Sequence, residues 1–193
     1  MTTTINASTS AGLVNTADTS GILQLQTAGT AAVTIDASQN VGIGVTPAGT
    51  GGCLQLKSGI TFPATQSASS DANTLDDYEE GTFSPSATPA SGSFTTVTQS
   101  GNYTKVGNVV NYSFIVTINS VGTGSGDVNI VLPFTCGISP IRPMGCGREN
   151  ALSGNTLQVR TTSDGSANAS ILMGPALANG WQALCTITYT TST

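Results

Sequence analysis

The first third of the chain carries very short apolar runs, each with aliphatic residues at alternating positions and each bounded by turn-forming residues. Four such runs contain the pairs Leu23 and Leu25, Val33 and Ile35, Val41 and Ile43, and Leu54 and Leu56. Alternation at period two is the pattern of a strand with one apolar face. This region therefore predicts short strands joined by tight turns.

One of these runs occurs twice. Gly21–Thr27 (GILQLQT) returns as Gly52–Ser58 (GCLQLKS). A strand unit of this size cannot bury its apolar face alone. No aromatic residue precedes Phe62, so the region also lacks the bulk for a monomeric core. We expect copies of the chain to supply the missing partners, and we predict a homotrimer.

The composition excludes several classes of protein. Charged residues make up 8% of the 193 residues, and the abundance of Thr, Ser and Gly favours strands and turns over helices. The net charge is −5 with only five Lys and Arg residues, too few for a nucleic-acid-binding face. The sequence contains neither an apolar stretch long enough for membrane insertion nor a secretory signal, so we expect assembly in a cytoplasm.

Three regions differ in texture. Residues 1–65 form the region of short strands, which we expect to mediate oligomerisation and attachment. Residues 66–81 are a polar linker followed by an acidic junction, and residues 82–193 have longer strands with recognisable turns. The predicted fold class is all-β, with short interchain-paired N-terminal strands followed by a C-terminal antiparallel β-sandwich or jelly-roll-like domain.

The clearest hairpin signal in residues 82–193 is Gly107-Asn108, which separates Asn102–Val106 from Val109–Ile118. One face of the second strand carries only large apolar or aromatic side chains at period two, so we expect it to be central in the core. The opposite face carries Asn111, Ser113 and Thr117, which should meet water or a subunit.

Two segments resemble motifs of bacteriophage tail-fibre and virion appendage proteins. Asp36–Pro47 (DASQNVGIGVTP) resembles the NVGIG segment of such fibres. Thr74–Pro85 (TLDDYEEGTFSP) resembles a junction that precedes a β-rich C-terminal domain, in which Tyr103–Val110 (YTKVGNVV) resembles a matching hairpin. The resemblance implies a trimeric fibre or appendage subunit with its C-terminal domain outward. The chain departs from the family in lacking any match to the self-cleaving chaperone domain that ends many such proteins.

These observations together predict a non-enzymatic structural protein of a bacteriophage virion, a tail-fibre or appendage subunit in contact with other virion proteins. Its C-terminal domain is the expected site of any binding to host-surface glycan. The candidate receptor contacts are Trp181, which could stack on a sugar or lie in the core, and Arg142 and Arg148, which flank PMGCG in the longest loop. A capsid decoration protein that stabilises the shell is the alternative, and a polysaccharide-degrading tailspike is a third hypothesis.

The chain contains no histidine, which excludes Ser-His-Asp and Cys-His catalysis. The acidic residues Asp76, Asp77, Glu79 and Glu80 could in principle cleave glycans as paired carboxylates or bind calcium. We favour a structural role for them, as a solvated junction, a helix start capped by Thr74 or an interchain contact. No catalytic, cofactor-binding or metal-ligating residue is predicted.

The four cysteines show no C-x-x-C spacing, and they are Cys53, Cys136, Cys146 and Cys185. Buried free thiols are the favoured interpretation. A disulfide between Cys136 and Cys146 is the alternative, which cytoplasmic synthesis disfavours.

Overall fold

The computed structural model describes residues 20–47, 54–63, 69, 74–138, 142–163, 165–172 and 176–191. All the secondary-structure elements assigned within these residues are β-strands, which confirms the all-β prediction for them. Residue contacts divide the chain into two units, Met1–Thr61 and Phe62–Thr193. Cys53 and most of the predicted linker lie outside the described residues.

The first unit contains a four-stranded sheet in the order β1-β2-β3-β4. Its strands are β1 (Leu23–Thr27), β2 (Thr30–Ile35), β3 (Val41–Ile43) and β4 (Leu54–Leu56). The pairs β1–β2 and β2–β3 are antiparallel, whereas β4 lies parallel to β3. Ala28 and Gly29 join β1 to β2 with positive φ angles of 50° and 75°. A two-residue hairpin turn needs such angles if its twist is to match that of the strands.

The second unit contains a nine-stranded sheet in the order β5-β7-β8-β13-β10-β11-β12-β9-β6, and every pairing in it is antiparallel. Its strands are β5 (Tyr78–Thr82), β6 (Ala87–Ser91), β7 (Thr96–Val106), β8 (Val109–Ser120), β9 (Ser125–Val131), β10 (Met144–Glu149), β11 (Thr156–Thr161), β12 (Asn168–Leu172) and β13 (Trp181–Thr190).

This sheet curls until its two ends approach each other. Strands β5 and β6 lie at opposite ends of the order, yet only residues 83–86 connect them. At one side of this connection the Phe83 N–H donates to the Gly101 carbonyl of β7, and at the other the Val131 N–H donates to the Ser86 carbonyl. The three Cα–Cα steps from Phe83 to Ser86 span roughly 10 Å when extended, so the ends of the sheet face each other across a core about as thick as the gap between packed sheets.

The core lies inside this curl, and strand β8 is central to it, between β7 and β13. The predicted alternation of β8 is confirmed, because its apolar face is buried while Asn111 and Ser113 are exposed and Thr117 is partly exposed. The buried side chains of β8 and β13 are Val110, Tyr112, Phe114, Val116, Ile118, Trp181, Ala183, Cys185, Ile187 and Tyr189.

The sequence predicted a long loop that contains both Arg142 and Arg148, but in the structure Arg148 lies in a strand. Met144–Glu149 forms β10, which pairs with β11 on one side and β13 on the other. Gly145 and Gly147 face the core, where Ile187 and Cys185 of β13 leave no room for a side chain. The sequence suggested that these glycines belong to a loop, but they are needed here because β10 and β13 approach each other closely.

Candidate assembly interface

One face of the first sheet carries eight aliphatic residues. The strand register brings them side by side across all four strands: Leu23 lies opposite Ile35, which lies opposite Val41, which lies opposite Leu54. We call this surface the aliphatic face, and its members are Leu23, Leu25, Val33, Ile35, Val41, Ile43, Leu54 and Leu56.

The aliphatic face is largely uncovered. Leu23, Leu25, Ile43 and Leu54 are 45%, 49%, 47% and 56% exposed, and the other four side chains are only partly buried. No charged residue lies within it. A contiguous apolar surface of this kind is rare on a monomer and marks an interaction site.

The middle of the opposite face of the same sheet is covered by the chain itself. After β3 the backbone reverses at Gly44 (φ +69°) and returns over Gly42, which is buried. A side chain at Gly42 would overlap the Val45 carbonyl oxygen and approach the Pro47 ring to 2.9 Å. The glycines of the NVGIG segment thus fold the chain back onto one face of the sheet and leave the aliphatic face open.

The turn before β3 is fixed by Asp36. Its carboxylate accepts hydrogen bonds from the N–H groups of Ser38 and Asn40, each at 2.9 Å, and from the Asn40 side-chain amide at 3.0 Å. The Asn40 side chain is the main reason that the pKa of Asp36 lies below its ordinary value. Asp36, Asn40, Gly42 and Gly44 of the DASQNVGIGVTP segment therefore each have a structural role in shaping the sheet.

The acidic segment leads into strand β5, which contains Glu79 and Glu80, and no helix starts at Thr74. Asp77 is buried and makes an ion pair with the buried Lys105 of β7. Glu79 accepts a hydrogen bond from the Tyr103 hydroxyl, which with burial raises the pKa of Tyr103 to about 12. Phe134 completes the cluster, with its ring 5.1 Å from that of Tyr103 and 5.8 Å from the Lys105 ammonium.

The remaining acidic side chains point elsewhere. Glu80 accepts a hydrogen bond of 2.8 Å from the Tyr78 hydroxyl on the outer face of β5, and Asp76 accepts one of 2.8 Å from the Ser69 N–H. Glu79 and Glu80 lie on opposite faces because they are consecutive in a strand. Among the described residues, no three Cys, Asp or Glu side chains are grouped as metal ligands would be.

The three candidate receptor contacts lie in different settings. Trp181 is 1% exposed and its ring packs in the core, the alternative that the sequence left open. Arg142 and Arg148 are both exposed, the first just before β10 and the second on its outer face. Only the two arginines are therefore accessible to a partner in this structure.

Arg148 borders a groove of about 580 Å³ on the outer face of the large sheet. The groove crosses β7, β8, β13 and β10. Hydroxyl and amide groups of Ser100, Asn102 and Ser113 line one part, and Ile115 and Leu184 line its apolar part. The groove thus combines one positive charge with small polar groups and an apolar surface.

Sequence reasoning missed Glu149, a buried and extensively hydrogen-bonded side chain of the second unit. Glu149, fully buried at the end of β10, accepts hydrogen bonds from the N–H groups of Ala151, Leu152, Ser153 and Gly154. Burial raises the pKa of Glu149, but the hydrogen bonds from Ser153, Ala151 and Leu152 together lower it by more than burial raises it. The net pKa therefore lies well below the ordinary 4.5. The only sequence signal was the Asn-Ala-Leu-Ser-Gly-Asn turn after it.

Three cysteines lie within the described residues, and all are free thiols: Cys136 and Cys185 are buried and Cys146 is exposed. The backbone of Cys136 forms an isolated β-bridge with Thr191, whereas Cys146 of β10 is paired with Thr186 of β13. These two partners lie five residues apart on one extended segment, roughly 17 Å, which is too far for a disulfide between Cys136 and Cys146.

Comparison of the chain with protein-family models, curated proteins and solved structures gives no match. In the part of the chain that the structure describes, no helix is long and apolar enough to cross a membrane.

Proposed function

We propose that this chain is an oligomeric structural subunit of a bacteriophage tail fibre or related virion appendage, with three copies per assembly. The aliphatic face carries the proposal. The NVGIG-like segment and the TLDDYEEGTFSP segment, which resemble fibre motifs, support it because each has a defined structural role: one exposes the aliphatic face and the other locks β5 onto β7.

The aliphatic face needs a cover. Burying one Leu, Ile or Val side chain fully is worth about 1.5–3 kcal/mol, so covering eight partly exposed ones contributes on the order of 5–10 kcal/mol per chain. Identical copies present a matching uncharged surface, so no charge is desolvated when they meet. This is the energetic basis for assembly through residues 20–61.

In this proposal the curled nine-stranded sheet is the sandwich-like outer domain, and its groove binds host-surface glycan. Arg148 would contact an anionic substituent, and Ser100, Asn102 and Ser113 would hydrogen bond to sugar hydroxyls. Acid–base glycan cleavage by the acidic segment is disfavoured, because Asp77 is ion-paired with Lys105 and Glu79 is held by Tyr103.

Assembly is tested by measuring the mass of the intact chain in solution by light scattering, together with two charge-introducing variants. Wild type should have the mass of a trimer. Ile43→Asp should dissociate it, because a charge would enter the aliphatic face. Gln24→Asp, on the polar face of the same sheet, should leave it a trimer. A wild-type monomer at micromolar concentration would contradict the assembly proposal.

Location on the particle is tested by immunogold labelling of purified virions that carry the protein. Labelling of the tail supports the appendage proposal, whereas uniform labelling of the head indicates capsid decoration. Release of reducing sugar from host polysaccharide by the purified protein would instead indicate a tailspike enzyme.

A further inference from the structure

The repeated sequence unit places the same short strand at both edges of the first sheet. β1 contains Leu23-Gln24-Leu25 and β4 is Leu54-Gln55-Leu56, and among the described strands these are the two outermost of the sheet. The pairings β1–β2 and β2–β3 are antiparallel and β3–β4 is parallel, so β1 and β4 run in the same direction.

Because β1 and β4 lie at opposite edges of a four-stranded sheet, they can pair with each other only between different copies. If copies are related by rotation about an axis along the strands, all strands keep their direction, and β4 of one copy meets β1 of the next as a parallel neighbour. The alternating leucines then stay on the aliphatic face in the register that places Leu54 beside Leu23. The unpaired edges of β1 and β4, which would otherwise be open to uncontrolled pairing with other chains, are then both occupied.

The width of the sheet selects the number of copies. Four strands at about 4.8 Å spacing make a sheet roughly 19 Å wide, and three such sheets arranged as a triangle lie about 5.5 Å from the common axis. This is close to half the ~10 Å separation of packed sheets, so aliphatic side chains can fill the interior. Four sheets in a square would lie roughly 10 Å from the axis and leave a void, and two face to face would leave every edge unpaired.

We propose that β4 of one copy pairs in parallel with β1 of the next, closing three four-stranded sheets into a triangular prism with the aliphatic face inside. The proposal rests on the proposed trimeric function and adds the surface and strand pairing through which the copies meet. The partner at each edge of the sheet is another copy of this chain.

The test exploits the outward-facing glutamines. In the proposed register Gln24 of one copy lies beside Gln55 of the next, with their Cα atoms about 4.8 Å apart, which is within the Cα separation that a disulfide spans. The double variant Gln24→Cys/Gln55→Cys, after mild oxidation, should give covalent dimers and trimers on a non-reducing denaturing gel and nothing larger. Wild type and each single variant should stay largely monomeric on the same gel, which controls for the native cysteines.

Each outcome decides the proposal. A native trimer without covalent trimers from the double variant overturns the edge pairing and leaves the trimeric function intact, whereas a wild-type monomer overturns both. Covalent species beyond three chains overturn ring closure. Should the double variant fail to assemble, hydrogen exchange on the wild-type trimer decides: outer-edge amides of β1 and β4 as protected as those of β2 support the pairing, and rapid exchange at both edges overturns it.

Discussion

At the scale of single residues, Glu149 shows how a lone buried carboxylate can be stable without a cation. Its oxygens accept N–H groups from four consecutive residues of the turn that follows, and also the Ser153 hydroxyl at 2.9 Å. Hydrogen bonds to a charged acceptor are worth more than those between neutral groups. The ionised carboxylate therefore organises the turn between β10 and β11.

We expect Glu149→Gln to destabilise the second unit by about 2 kcal/mol or more, because an amide presents an N–H₂ group to several N–H donors. The folded-state pKa of Glu149 is lowered, so its contribution is complete above the unfolded-state pKa and declines progressively as the pH falls from about 5 towards the folded-state pKa. The difference in melting temperature between the two proteins, measured from pH 8 to pH 3, should therefore narrow towards the acid end. A difference that stays constant with pH would contradict this role, and Glu80→Gln, at an exposed site, is the control.

The two faces of β8 give a second residue-scale prediction. Phe114 is 5% exposed and its ring stacks on Tyr112 at 5.1 Å, whereas the neighbouring Ser113 is exposed. Phe114→Ala should cost about 3–5 kcal/mol through lost burial and the cavity left behind. Ser113→Ala should barely change the melting temperature. Similar effects from both variants in thermal denaturation would mean that the outer face is buried by a partner chain.

At the scale of elements, β5 is an edge strand attached to β7 by side chains as well as by its backbone. The ion pair of Asp77 with Lys105 and the hydrogen bond of Tyr103 to Glu79 join two segments that are far apart in sequence. The two fibre-like motifs, TLDDYEEGTFSP and YTKVGNVV, thus form a single structural unit.

Removing one partner of this pair should be costly. Asp77→Asn leaves the buried Lys105 ammonium without its carboxylate and should destabilise the domain by about 3–5 kcal/mol. Asp76→Asn, at a half-buried site next to it, should cost far less. The double variant Asp77→Asn/Lys105→Met should recover part of the loss in urea denaturation. Equal midpoints for the Asp76 and Asp77 variants would show that the ion pair does not hold β5 in place.

Element by element, the sequence predicted strands best where alternation and turn chemistry agree. Val109–Ile118 became β8 (Val109–Ser120), and the Gly107-Asn108 turn joins it to β7. β10 was missed because its inward positions are glycines, so no apolar alternation marks it. β6 was missed because it contains Pro89, which an edge strand tolerates. The aliphatic face was predictable from its paired residues, whereas the roles of Glu149 and Lys105 depend on contacts made only after folding.

At the scale of the whole molecule, the two units achieve stability by different routes. The second unit buries aromatic and aliphatic side chains inside its own curled sheet. Among the described residues of the first unit, by contrast, the buried ones are Thr34, Gly42 and Pro47, none of which has a large apolar side chain. A chain built in this way should couple the folding of its first unit to assembly, while its second unit folds alone.

The fragment 75–193 tests this division, since it contains all nine strands of the large sheet and none of the aliphatic face. Expressed alone, it should be soluble, rich in strand by circular dichroism and cooperative in melting, because its core is complete within one chain. It should also be monomeric by light scattering, whereas the full chain should be a trimer that needs more denaturant to unfold, since three chains must separate at once. An unfolded fragment would contradict the independent core. A trimeric fragment would shift the assembly interface from the aliphatic face to the outer face of the large sheet, where Ile115 and Leu184 line the groove.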